Sequence, residues 1–351
     1  MSASGSPDRD SLIRKALYKA WGSRHELCLY PDAPACTNKA SAAHSIQNNG
    51  TLSELSHAGH VYMIETRPMI GEKPELPDFE KRGRNQATTF KGLCNPHDSE
   101  LFRPIDNNPL NLNDPEHVFL LTYRSALKEA HASEHSSRVV ASVYADLVRD
   151  GVLSPGSHLD AAAEAKPGED ADALMKEKRK LDELHLVGGH NEVTHEVVAL
   201  PGRSPSLAVS GYFSAGSTNG RERWCALNVF PSNGDHLMVF SYRRFNELAV
   251  RTAFLNALGS AKGRDRERVA SSLILEYSSN FVVRPSLVEA YTPAQRSAIR
   301  NYFWGSTTLQ QASYLEGVRP GWGAALAEEV VEITGGIDKN DPRLNLFETV
   351  A

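Results

Sequence analysis

Three cysteines and one histidine in the first third of the chain have the types and spacing of a metal site. Seven residues separate Cys28 from Cys36, and two separate Cys94 from His97. Thiolate and imidazole are the donors that zinc takes in a closed tetrahedron, where the ion supports structure rather than catalysis. The tight second pair is followed by DSELF, which reads as the start of a helix, with Pro96 just ahead of it. The expected cofactor is therefore structural Zn2+ held by Cys28, Cys36, Cys94 and His97. The competing reading is three unrelated buried cysteines and a surface histidine. The fourth cysteine, Cys225, lies far away in the strand-like run WCALNVF and reads as a small buried hydrophobe. An odd number of cysteines in the N-terminal group does not pair into disulfides, and a reducing compartment disfavours them.

A looped ligand pair, short strands and a second pair at a helix N-terminus describe a treble clef. This segment resembles the His-Asn-His (HNH) endonucleases, whose ββα-metal fold is often supported by such a zinc site. Their pattern places a histidine early on a hydrophobic strand and later a helix reading C-x-x-C-H. Here AHSI offers His44 as the early histidine. In LCNPHD, His97 takes the place of the second cysteine and Asp98 that of the metal-binding histidine. Asn48, Asn49 and Asn85 are the asparagines available for the middle position. The resemblance implies that His44 is the general base activating water. It also implies that Asp98 helps to hold Mg2+ or Mn2+, which would stabilise charge on a phosphate. An oxygen ligand suits so hard an ion. The resemblance covers residues 25–106 and departs from the family pattern in three ways. About 50 residues separate His44 from Cys94, more than the compact motif has, no single asparagine stands out as the middle residue, and the final histidine is an aspartate. The run AHSIQ, GHVY, TFKGLCNPHDSELF also resembles segments of bacterial proteins.

Other polar residues have plainer explanations. In HAGH, Gly59 marks a turn, with His57 ending a helix and His60 starting a strand. His190 and His195, in HNEVTH, match no standard metal spacing and sit where a strand begins. Ser210, Tyr212, Asn228, Ser241 and Tyr242 fall in strand-like runs. They would line a ligand pocket or, more simply, satisfy a sheet edge. No Walker A, G-x-G-x-x-G or G-x-S-x-G signature occurs.

The elements that must position these residues follow from periodicity. AHSI, HVYMIE and TTFKGL read as strands, and PMIGEKPELPDFEKRGRN, between the last two, as a loop. Asp114 is placed to cap a helix with Pro115 at its first position, and helical spacing then continues to Val152. HLDAAAEAKPGEDADALMKEKRKLDEL reads as a loop followed by a solvated helix. From Val193 the period changes to that of strands: VTHEVVAL, SLAVSGYF, WCALNVF and HLMVFSY. The last two meet at Asn233–Gly234, a pair suited to a tight hairpin. Alternation puts Trp224, Ala226 and Asn228 on one face and Cys225, Leu227 and Val229 on the other, the second face being the expected core. Helices follow in NELAVRTAFLNALGS, RERVASSLILEYSSN and TPAQRSAIRNYFWGS, the last capped by Thr292. The tail after Asn340 reads as loose.

The fold expected is α+β, a small N-terminal treble-clef-like zinc module followed by a helix–antiparallel sheet–helix body. Its parts are a tail with a short helix (1–24), the zinc module (25–106), a helical region (107–192), and a sheet with C-terminal helices (193–351). With 351 residues, 40% of them hydrophobic, the chain is long enough to bury a sizeable core. No apolar run of about 18 residues occurs, so no membrane span is expected. The polar start MSASGSPDRDSLIRK has no apolar stretch to act as a signal peptide, and a cytoplasmic location is expected. A net charge of −5 argues against a broadly basic nucleic-acid coat. Local basic runs remain, at Arg14, Lys15, Lys19 and Arg24 and at Lys81, Arg82, Arg84 and Lys91. Two functions fit. One is an HNH-like metal-dependent nuclease that meets DNA or RNA through those patches. The other is a non-catalytic zinc-finger module that recognises nucleic acid or a protein partner, with the C-terminal body as recognition domain.

Overall fold

The computed structural model describes residues 38–64, 76–154, 158–201, 205–318 and 338–350, with shorter pieces at 12, 15–16, 19–20, 28–31, 36, 327–328, 331–332 and 334–336. Of the expected N-terminal tail, residues 12, 15–16 and 19–20 are helical; residues 1–11, and with them Arg14 and Arg24, lie outside the described set.

The architecture is α+β. Its centre is an antiparallel sheet of seven strands in the order β3-β2-β9-β6-β7-β8-β5. The strands are β2 (His60–Ile64), β3 (Phe79–Gly83), β5 (Val193–Leu200), β6 (Leu207–Thr218), β7 (Arg221–Ser232), β8 (Asp235–Arg243) and β9 (Phe281–Val283). A separate antiparallel pair joins β1 (Ser41–His44) to β4 (Thr89–Leu93). The β7–β8 hairpin turns at Asn233 and Gly234, both at positive φ (51° and 86°). Such a turn matches the twist of the strands, and asparagine and glycine tolerate that region at least cost.

Helices cover both faces. On one side lie the segment 247–260 (α4), α5 (Arg264–Tyr277), α6 (Pro285–Ala290) and α7 (Pro293–Val318). Cys225, Leu227 and Val229 face them, packed with Phe240, Phe254, Ile274 and Phe303. The Thr292 hydroxyl accepts from the Gln295 N–H at 3.1 Å and caps α7 as the sequence implies. On the other side lie α1 (Asn95–Asp106), α2 (Pro115–Arg149) and α3 (His158–Leu186). Asp114 caps α2 by accepting from the Glu116 N–H at 2.9 Å. The first half of α2 is buried almost all round, from His117 to Ala130, while its second half buries only a stripe of Val139, Val143 and Leu147. An all-round buried segment marks a helix inside a core.

Four expectations change. The sheet face of Ala226 and Asn228 is buried as well, because α2 lies on it. Ser210, Tyr212, Asn228 and Ser241 are consequently buried on that face, Tyr242 is buried on the opposite one, and none lies at the sheet's edge. Buried hydroxyl and amide groups need partners, and the Ser125 hydroxyl of α2 sits 3.0 Å from Ser210 Oγ and 3.1 Å from Asn228 Oδ1. Second, FEKRG is not loop but edge strand β3, paired along its length with β2. Its entry is clamped from afar: Arg296 Nε donates to the Asp78 carboxylate at 2.9 and 3.0 Å, and Trp304 Nε1 to the Pro77 carbonyl at 2.8 Å. Third, α3 is one helix through Pro167–Gly168, and its later part is partly buried, with Ala171 and Leu181 inside. Packing along α2 outweighs the low helix propensity of those two residues. Fourth, the C-terminal tail is seated. Leu344, Leu346 and Phe347 are buried, Gln295 Nε2 donates to the carbonyls of Asn345 and Glu348, and the Leu346 N–H donates to Ser271 Oγ.

The seated tail has a measurable consequence. Phe347→Ala empties a fully enclosed aromatic position and is expected to cost about 3–5 kcal/mol of unfolding free energy. Urea denaturation reads this directly, and an unchanged midpoint would show that the tail does not seal the core.

Candidate functional site

The ligand set assembles at the junction of β4 and α1. Cys94 is the residue between them and His97 lies in the first turn of α1. The chain around Cys28 is laid against β4 by a hydrogen bond from the Leu29 N–H to the Gly92 carbonyl at 2.8 Å. Cys28 Sγ is 3.2 Å from His97 Nδ1, Cys94 Sγ is 3.3 Å from the same nitrogen, and Cys36 Sγ is 3.7 Å from Cys94 Sγ. All four ligand atoms lie within 4.8 Å of one another, close enough to hold one metal ion. The sulfur separation is far beyond a disulfide bond of about 2.05 Å. The Tyr30 ring stacks on His97 with centroids 4.1 Å apart and planes 12° from parallel, which fixes the imidazole's plane.

The thiols are poised differently. Burial pushes the Cys28 thiol up. At Cys94 burial acts the same way, but the His97 backbone N–H and then the thiols of Cys36 and Cys28 favour its thiolate, and its pKa falls below the ordinary thiol value. Cys225 is wholly buried in the far core, where its thiol is pushed far up, as a packing residue would be.

Asp98 follows His97 in α1, and His44 lies on β1, the strand paired with β4. His44 ends β1 opposite Thr89 of β4 and is half-buried. Its Nε2 is 3.2 Å from the Arg84 carbonyl. A carbonyl only accepts, so Nε2 carries the proton and Nδ1 keeps its lone pair. Burial lowers the His44 pKa; the Arg84 carbonyl opposes the fall, and the charges of Arg124 and Arg84 add to it. Asp98, in the first turn of α1, is half-buried, and burial raises its pKa against the pull of Arg124. The charges of Arg124 and Asp106 thus act on both residues. Arg124 holds Asp106 through two parallel bonds of 2.7 and 2.9 Å, with its guanidinium 4.0 Å above the Phe102 ring.

The loops that frame His44 are tied together. Asn48 Nδ2 donates to Asn85 Oδ1 at 3.1 Å, and Gln47 Nε2 to the carbonyls of Ile105 and Asp106 at the end of α1. Ser45, beside His44, is held by Asn280: Asn280 Nδ2 donates to Ser45 Oγ and to the Ser210 carbonyl, both at 2.8 Å. The small unit is thereby bolted to the large sheet.

Of the residues named from sequence, Cys28, Cys36, Cys94 and His97 come together, and His44 and Asp98 share one electrostatic environment. His57 and His60 form an exposed turn around Gly59 and do not join the cluster. His190 stacks on Phe119 at 4.7 Å. Among the basic residues, Arg84 reaches His44, whereas Arg82 pairs with Glu80. Lys15 and Lys19 flank Ala16 and Ala20, which pack on the far half of α2. Sequence reading missed Arg124 and Asp106, since a helical arginine and a helix-ending aspartate are ordinary surface residues until the fold buries the arginine and sets the aspartate against it. No protein-family model, curated protein or solved structure matches the chain.

Elemental analysis of purified protein is expected to find about one metal ion per chain, and a chelator to lower its melting temperature. Cys94→Ser should lose the metal, while Cys225→Ser should retain it. Metal-free protein with an unaltered melting temperature would count against the site.

Proposed function

We propose that the chain is a zinc-containing nuclease whose ββα unit hydrolyses phosphodiester bonds in DNA or RNA. The observation that carries this reading is the arrangement of one small unit: an antiparallel strand pair, β1 and β4, leads straight into α1, with a Cys3His cluster at the junction and a histidine at the end of β1 whose Nε2 donates to a backbone carbonyl, which leaves Nδ1 as the basic nitrogen. Zinc suits the cluster. A Zn–S bond of about 2.3 Å and a Zn–N bond of about 2.05 Å put tetrahedral edges at about 3.8 Å between sulfurs and about 3.5 Å between sulfur and nitrogen. The separations of 3.7 Å and of 3.2 and 3.3 Å lie close to those edges. With four protein ligands the ion is closed to substrate and supports the fold.

In this reading His44 is the general base. Its Nδ1 takes a proton from water as the water oxygen bonds to phosphorus. The bond from phosphorus to the leaving sugar oxygen breaks, and that oxygen takes a proton from solvent. The Arg84 carbonyl fixes the imidazole's tautomer, and the Asn48–Asn85 bond braces the turn that carries this carbonyl, a part the middle asparagine would play in the HNH-like pattern. Arg84 adds positive charge for an incoming phosphate. A hard ion, Mg2+ or Mn2+, would be held through the Asp98 carboxylate, and it supplies stabilisation of charge on the phosphate oxygens. The second reading, a binding module without catalysis, draws support from the overall charge of −5 and from the pairing that neutralises Arg124.

Plasmid and RNA cleavage with added Mg2+ or Mn2+ separates the two. Wild type is expected to cut. His44→Ala and Asp98→Ala are each expected to lose at least about 100-fold in rate, within the span of general acid–base catalysis, while keeping their zinc. The base must be neutral, and burial disfavours its charged form. Activity should therefore be full at neutral pH and fall only as pH drops below the ordinary imidazole value of about 6.5. Wild type that cuts neither substrate with any divalent ion would sink the nuclease reading and leave the binding module.

A further inference from the structure

The Cys28 end of the cluster is held by more than its thiol. The next residue, Leu29, has both backbone polar groups engaged. The Leu29 N–H donates to the Gly92 carbonyl on β4 at 2.8 Å, and the Leu29 carbonyl accepts from Lys178 Nζ on α3. Lys178 is 4% exposed, a rare position for an ammonium. Its other partner is Asp182 Oδ2 at 2.8 Å, and Asp182 Oδ1 accepts from the Tyr123 hydroxyl of α2 at 2.5 Å. A chain of contacts thus runs from α2 through α3 to the backbone of Leu29, the residue that follows the ligand Cys28. Leu29 and Tyr30, both half-buried, pack against the same apolar cluster as Leu181 and Tyr123, which partly screens the contact from water.

Charge gives this chain a purpose. Three thiolates around a divalent ion leave a net charge of about −1. Such a charge needs a nearby cation when buried. Lys178 is a buried cation that reaches the carbonyl of the residue next to Cys28. Groups one step beyond the ligands orient them and set affinity, typically by about 10- to 100-fold.

We infer that Lys178, braced by Asp182 and Tyr123, is the positioning residue of the Cys3His centre, and that through it metal binding and the docking of α3 on α2 strengthen each other. The inference rests on the metal reading of the cluster. Linkage makes the effect reciprocal: whatever α3 adds to metal affinity, the metal returns to α3. Without the ion the Cys28 segment loses one of its two ties to the β4–α1 junction, and the Leu29 carbonyl is held less firmly in place for Lys178. The C-terminal half of α3, from Ala171 to Leu186, is the segment that should loosen.

Two measurements on the full-length protein test this. The first is chelator competition with Zn2+ and Co2+, together with the absorption spectrum of the Co2+-loaded protein, which reports the ligand field at the ion. Lys178→Met is expected to weaken metal binding by about 10- to 100-fold and to shift the Co2+ spectrum. Lys178→Arg should recover part of the loss, and Tyr123→Phe should weaken binding by a smaller factor. Arg296→Met, which breaks the distant clamp on β3, should lower stability and leave metal affinity unchanged. The second measurement needs no variant: hydrogen exchange of wild type with and without Zn2+ should show protection lost in 171–186 when the metal is removed. Wild type that takes up neither ion would overturn the metal reading itself. Wild type that binds metal, with Lys178→Met equal to it in affinity and spectrum, or with exchange in 171–186 indifferent to zinc, would overturn the coupling alone.

Discussion

Three consecutive residues of α2 hold the parts of the molecule to one another. Tyr123 donates to Asp182 on α3, Arg124 grips Asp106 at the end of α1, and Ser125 reaches Ser210 and Asn228 in the central sheet. Successive side chains on a helix point about 100° apart, so three neighbours address three directions only if the helix is enclosed on all those sides. That enclosure is what α2 has from His117 to Ala130. A polar group there without a partner would cost about 1–3 kcal/mol, so each contact also specifies where its partner element must lie.

The Cys3His cluster, His44 and Asp98 all hang from this arrangement. The ββα unit contributes few large apolar side chains of its own. Phe90, Leu93, Leu101 and Phe102 find their cover on α2, in company with Phe119 and Tyr123. A small unit that borrows its core needs staples, and the structure supplies several: the cluster at the β4–α1 junction, the Asn280 bridge to Ser45, and the Gln47 bonds to the end of α1. The same staples immobilise the groups proposed for chemistry, since Ser45 and Gln47 bracket the residues that follow His44.

Electrostatics around that unit is local rather than global. The chain carries −5 overall, yet among the described residues the charges that act on His44 are those of Arg124, Arg84 and Asp106. Arg124 is spent on Asp106 and on the Phe102 ring, and this keeps a buried guanidinium paired and its neighbour loop in register. Arg84 is more open, and its carbonyl and side chain serve different ends: one orients the imidazole, the other adds field. Like-charged arginines beside His44 disfavour the imidazolium, in the same direction as burial does.

Much of this was legible from residue types and local order. Thiols and an imidazole at such spacings have few uses besides a metal, and the four came together. The Asn233–Gly234 hairpin follows from a backbone region that few residues tolerate, and the Asp114 and Thr292 caps follow from orphan N–H groups at helix starts. Alternation found β5 to β8 and their two faces. It could not say that both faces would be covered, because that depends on α2, which belongs to another part of the chain. The strand FEKRG, the seated tail, the buried Arg124 and the Lys178 contact were hidden for the same reason. Arg296 meets Asp78 across 218 positions and Lys178 meets Leu29 across 149. A charged residue on a helix reads as solvated, and a proline-rich, charged run reads as loop, until a distant partner removes the water from around it. Local pattern records how a segment prefers to bend and which side it would bury; the partner that makes burial tolerable is set only when the chain closes on itself.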